Sequence, residues 1–146
     1  MSGIIDKRTI FLDSIFADKQ SLLQDIADTA VELQITDQAS EIFKELNDRE
    51  NTLSTSVGKG IAIPHCKSNI VKNSKVFLYR LKEEIAWDDE ENIKLAFAII
   101  TNNDSSDHLS ILAKLSRNLL KDTFLNQIKE AKTSEEVFEK ITSILD

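Results

Sequence analysis

The order of helical and strand-like segments along the 146 residues predicts an α/β protein, a three-layer α/β/α sandwich whose central mixed β-sheet is flanked by helices. Helix-period apolar spacing comes first, β-like runs occupy the middle, and helix-period spacing returns to the end, so helices must cover a shared sheet. In addition, Leu95 to Ile100 is six consecutive apolar residues, which predicts a central strand covered on both faces.

Each element follows from a local pattern. Ile10-Phe11-Leu12, with Ile15-Phe16 behind it, is short and apolar and predicts a strand or strand end. From Asp18 onward Leu22, Leu23, Ile26, Ala30, Val31 and Leu33 recur at helical spacing. A second helix is expected from a Thr36 or Asp37 cap, burying Ile42, Phe43 and Leu46 and ending near Arg49-Glu50. Lys75 to Leu81 and Ile93 to Ile100 are the two β-like runs, with Ile85-Ala86-Trp87 a short strand between them. Beyond the polar break Thr101 to Asp107, Leu109, Leu112, Ala113, Leu115, Ser116, Leu119 and Leu120 mark an amphipathic helix. Thr133-Ser134-Glu135-Glu136 has capping-box spacing before Val137, Phe138, Ile141, Ile144 and Leu145.

Composition narrows the function. No linker, repeat or low-complexity tract divides the chain, so residues 1–146 are expected to form a single domain. The net charge of −7 argues against nucleic-acid binding, which draws on clustered Lys and Arg. No apolar run approaches the ~20 residues of a membrane span, and the N-terminus lacks signal-peptide character. One cysteine excludes an internal disulfide and fits a reducing cytosol, so the expected location is cytoplasmic.

The chemistry-bearing residues crowd into one short segment. Of three glycines and one proline, Gly58, Gly60 and Pro64 fall within seven residues, followed at once by His65 and Cys66. Glycine permits backbone conformations closed to other residues, and proline fixes φ, so such a segment can hold a side chain at a set angle. An imidazole there is a sensible nucleophile: with an ordinary pKa of about 6.5 it is mostly neutral near pH 7. One ring nitrogen must be held by a partner, for which a backbone carbonyl of the tight loop suffices. Left to residue types alone, an ordinary loop carrying a surface histidine is the competing reading.

Arg49-Glu50, Ser54-Thr55, the string Gly58-Lys59-Gly60-Ile61-Ala62-Ile63-Pro64-His65, and His108-Leu109 with Leu112-Ala113 and Leu115 resemble the type-2 enzyme IIA domain of the bacterial sugar phosphotransferase system, the fructose, mannitol and nitrogen-regulatory class. The resemblance runs from about residue 8 to 145. It implies a phosphocarrier that takes a phosphoryl group from HPr on His65 and passes it to a cognate enzyme IIB, for uptake of a fructose- or mannitol-like sugar or polyol. A nitrogen-type regulator, whose phosphorylation state controls protein partners, is the alternative. By the same resemblance His108 sits beside His65 and steadies its phosphoryl group, and Arg49 lies near the site. Ser54 and Thr55 are candidate donors to a group that adds about −1.5 to −2 charge, unless they serve as turn formers. His108 follows the candidate caps Asp104 and Asp107, near a helix N-terminus that favours anions. No metal or organic cofactor is implied.

Two departures stand out. Cys66 replaces the glycine usual after the histidine, and Asp88-Asp89-Glu90-Glu91-Asn92 lacks the usual Asp-Gly turn after Trp87. A cysteine hydrolase using Cys66 with His108 is a conceivable rival. A metal site from His65, Cys66 and His108 matches no standard zinc spacing.

Overall fold

The computed structural model describes residues 4–104 and 107–145. A 3₁₀ turn, Lys7–Thr9, leads into strand β1 (Ile10–Ser14), followed by helices α1 (Lys19–Glu32) and α2 (Ala39–Thr52). Three short strands come next, β2 (Ser56–Gly58), β3 (Ile61–Ala62) and β4 (His65–Lys67). Two long strands, β5 (Lys75–Ala86) and β6 (Asn92–Thr101), precede α3 (Asp107–Leu119), α4 (Asp122–Glu130) and α5 (Ser134–Leu145). The six strands form one mixed sheet in the order β1-β5-β6-β3-β2, with β4 also paired to β6. Strand β6 is central: antiparallel to β5 on one side, parallel to β3 and then β4 on the other.

The sheet separates two apolar clusters. One face packs Leu78, Leu95, Phe97 and Ile99 against Leu115, Ile128, Val137 and Ile141 of α3 to α5. The opposite face packs Phe77, Tyr79, Ala96 and Ile100 against Leu22, Leu23, Ile26, Ile42 and Leu46 of α1 and α2. Leu95 to Ile100 alternate between the two clusters and are all at most 1% exposed, which is why that run carries no polar face. The three-layer sandwich is therefore what the chain forms. Among the described residues no helix is long and apolar enough to cross a membrane.

Local chemistry sets the boundaries. Asp18 and Ser21 cap α1 reciprocally, at 2.9 Å and 3.2 Å. Its C-terminus closes with Gln34 at φ 61, Gln34 N–H on Val31 O (3.0 Å) and Ile35 N–H on Ala30 O (2.8 Å). That turn drops Ile35 into the core and leaves Val31 37% exposed, so the apolar face is narrower than the sequence suggests. Helix α2 starts at Ala39, later than the expected cap: Thr36 Oγ1 accepts from Gln38 N–H, and Asp37 pairs with Lys72 instead. It also runs past Arg49-Glu50 to Thr52.

Ile85–Ala86 is no separate strand but the end of β5, which shifts register between Arg80 and Ile85 and re-pairs with β6. The turn after Trp87 closes without glycine, because Asp88 Oδ1 accepts from Glu90 N–H (2.9 Å) and Glu91 N–H (2.7 Å). In α3 the buried stripe is Ile111, Leu115 and Leu119, whereas Leu109, Ala113 and Leu120 are exposed. Helix α4 is a further element between the two expected C-terminal helices, and α5 starts beside Thr133, whose Oγ1 accepts from Glu136 N–H at 3.2 Å.

Candidate functional site

The β2–β3 hairpin turns through three successive left-handed residues, Gly58 (φ 88), Lys59 (φ 58) and Gly60 (φ 74), which explains the pair of glycines. It lays β3 along β6, and Ile63 N–H donates to Thr55 O at 3.0 Å. Pro64 then breaks the strand while its carbonyl accepts from Ile99 N–H at 3.0 Å, so β4 resumes on the same edge with His65 paired to Ile99.

The His65 ring is fixed from both sides. Nδ1 lies 2.7 Å from Ile63 O, and a carbonyl only accepts, so the proton sits on Nδ1. Nε2 keeps its lone pair and accepts from Arg49 Nε–H at 3.2 Å. Arg49, in the last turn of α2, also donates from Nη1 to Leu53 O at 2.5 Å. Burial pushes the His65 pKa below its usual value and Arg49 adds to this, against the opposing pull of Ile63 O and Glu50. A half-buried neutral imidazole results.

His108, in the first turn of α3, has its ring centroid 5.3 Å from that of His65, the planes tilted by 55°. Its Nδ1 shares a hydrogen bond with Thr101 Oγ1 at 2.7 Å, and that hydroxyl also lies 3.5 Å from Cys66 O. Burial, then His65, then Lys67 lower the His108 pKa. Of the expected caps, Asp104 lies in a turn closed by Asn102 Oδ1, and the Asp107 side chain falls outside the described residues.

Arg49, Ser54, Thr55, Ile63 and His65 share the wall of an open cleft of ≈ 190 Å³ with Leu112 and Ser116 of α3. The Ser54 and Thr55 hydroxyls are engaged elsewhere. Ser54 Oγ donates to Asp88 Oδ2 at 2.6 Å and accepts from Ser56 N–H, while Thr55 donates both its N–H (3.0 Å) and its hydroxyl to the Glu50 carboxylate. Glu50, 5% exposed, also accepts from Trp87 Nε1 at 3.0 Å. Glu50 and Thr101 thus organise the site without having been singled out for it in the sequence. A carboxylate at a helix end and a threonine at a strand end carry no local signal of such a role.

Strand alternation turns Cys66 away from His65 into the α1–α2 cluster. Burial raises its thiol to about 12, the opposite of what a hydrolytic nucleophile needs.

Over residues 3–144 the chain matches the family described as phosphoenolpyruvate-dependent sugar phosphotransferase system, EIIA 2. It is 30% identical to the PTS system fructose-specific EIIA component of Haloferax volcanii, covering 100% of this chain and 97% of that protein. Among solved structures it resembles nitrogen regulatory protein IIA-Ntr of Neisseria meningitidis at TM-score 0.87 and 25% identity, over 94% of this chain and 96% of that one. It also shares its fold with a chain of the complex of enzyme IIAMTL and phosphorylated enzyme IIBMTL from Escherichia coli, at TM-score 0.79 and 19% identity, covering 93% and 95%. The chain belongs to the EIIA 2 family of the phosphoenolpyruvate-dependent sugar phosphotransferase system.

Proposed function

We propose that His65 is a phosphoryl carrier, taking the group from phospho-HPr and passing it to a cognate enzyme IIB for a fructose- or mannitol-like sugar or polyol. The observation that carries this reading is the fixed tautomer of His65: proton on Nδ1 against Ile63 O, lone pair on Nε2 beside Arg49, in an open cleft. Once Arg49 Nε–H releases it, the Nε2 lone pair attacks phosphorus as the bond to the donor's nitrogen breaks, and the same step in reverse sense delivers the group onward. Arg49 and His108 supply positive charge. The incoming −1.5 to −2 charge favours the doubly protonated form of His108, making it a charged donor. Ser54 and Thr55 reach the group by releasing Asp88 and Glu50. Enzyme IIB as acceptor is supported by the shared fold with the enzyme IIAMTL complex.

The test is phosphoryl transfer from phosphoenolpyruvate through enzyme I and HPr, read by intact mass on wild type and His65→Ala. One acid-labile phosphoryl group, lost in the variant, is expected; a folded wild type that takes none from a cognate HPr would overturn the reading. The likeness to IIA-Ntr favours a second reading, in which phospho-His65 controls protein partners. Transfer onward to an enzyme IIB separates the two, since the regulatory reading does not require it.

A further inference from the structure

A second cavity, of ≈ 260 Å³, lies between the β2–β3 turn, β5, β6 and α4, and is walled by Lys59, Arg80, Glu84, Lys94, Leu95 and Lys129. A shallower neighbour shares Arg80, Lys94 and Lys129 and adds Lys82 and Asp13. Lys94 precedes Ile99, the residue paired with His65, by five positions of extended strand, or roughly 17 Å. This place is distinct from the His65 cleft.

Its charge is anomalous. In a chain of net charge −7, five cations and only two carboxylates border these adjoining cavities. Arg80 is committed to the fold: its side chain is 11% exposed, Nη1 donates to the carbonyls of Ile128, Lys129 and Ala131, and Nη2 lies 3.4 Å from Asp13. Its buried Nε has no hydrogen-bond partner among the described residues. Lys59 is tied to Leu120 O and Asp122. Lys94 and Lys129 are exposed, and among the described residues neither has a carboxylate partner. Two uncompensated ammonium groups beside a buried guanidinium repel one another, and a dianion between them relieves that repulsion. Glu84 opposes a second anionic group but accepts hydrogen bonds from hydroxyls, and Leu95 adds a small apolar wall. A volume just under the ~300–1,000 Å³ usual for small-molecule pockets suits a compact ligand.

We infer that this cavity binds a small hydroxylated phosphomonoester, its phosphate between Lys94 and Lys129 and its hydroxyls towards Glu84. The inference is independent of the role of His65. It is tested by titrating the full chain, ¹⁵N-labelled, with glucose 6-phosphate and following backbone amides by NMR, with glucose as the uncharged comparison. Saturable shifts centred on Gly60, Leu95 and Lys129 are expected with the phosphomonoester and not with glucose. The double variant Lys94→Gln/Lys129→Gln should bind about tenfold more weakly or worse, while Lys44→Gln, on α2, binds as wild type. Both lysines are exposed, so the amide spectrum of the double variant serves as the check of folding. Shifts centred on His65, shifts equal with glucose, no saturation by about 10 mM, or a double variant that binds unchanged would each overturn the inference.

Discussion

Arg49 gives His65 a neighbour that a lysine cannot imitate, because one planar fork serves both Nε2 and the Leu53 carbonyl. Under the proposed carrier role, Arg49→Lys should slow phosphoryl acceptance by roughly 10- to 100-fold, the worth of one charged hydrogen bond, in quenched-flow transfer from phospho-HPr. The pH dependence follows from the lowered His65 pKa: acceptance declines on acidic titration of Nε2, with the decline centred below pH 6.5. A decline centred above 6.5 would contradict it. Stability follows the same sign. Both histidines bind protons less readily folded than unfolded, so their contribution is complete above pH ~6.5 and is lost as pH falls towards the folded values. In NMR titrations the His108 pKa should rise once His65 is phosphorylated. The tight backbone that holds His65 was legible from the clustering of Gly58, Gly60 and Pro64, whereas the approach of His108 to it was expected only from family resemblance, because it depends on where β4 and α3 meet. The engagement of Ser54 and Thr55 by Asp88 and Glu50 was not legible, since hydroxyl partners are chosen by tertiary approach.

At the scale of single elements, the loop between α2 and β2 hangs on one carboxylate. Glu50→Ala strands the Thr55 N–H and the Trp87 indole and should cost about 3 kcal/mol in chemical denaturation, with altered emission from the only tryptophan. The α1 terminus offers the opposite case. Gln34 holds a left-handed φ of 61 at an exposed position where glycine is at ease, so Gln34→Gly should raise stability by about 1 kcal/mol. A loss on the same denaturation curve would refute that. Helical periodicity made α1 and α5 readable and the unbroken apolar run made β6 so, whereas the polar closing turn after Trp87 was not, because an aspartate side chain replaces the glycine conformation there. In α3 the three exposed apolar residues misplace the buried stripe, since Leu109 and Leu120 sit at or beyond helix ends.

Taken as a whole, the molecule rests on β6, whose side chains serve both cores. Phe97 is fully buried in the α3–α5 cluster, and Phe97→Ala should cost about 3–5 kcal/mol in a single cooperative transition. The layer arrangement was predictable because an all-apolar strand has to be covered twice, whereas strand order was not, since nothing in a strand's sequence names its neighbour. That order also governs when the site can exist. Apart from the short β2–β3 hairpin, every strand before residue 75 pairs only with β5 or β6, which lie later in the chain. A growing chain that has emerged only to residue 74 holds helices with no sheet to cover and a histidine strand with no edge to join. Such non-local pairing delays assembly until the last strand is available. The ring of His65 meets Arg49 and His108 only when β6 and α3 have been made, so under the proposed carrier role a chain truncated before β6 should take no phosphoryl group from phospho-HPr.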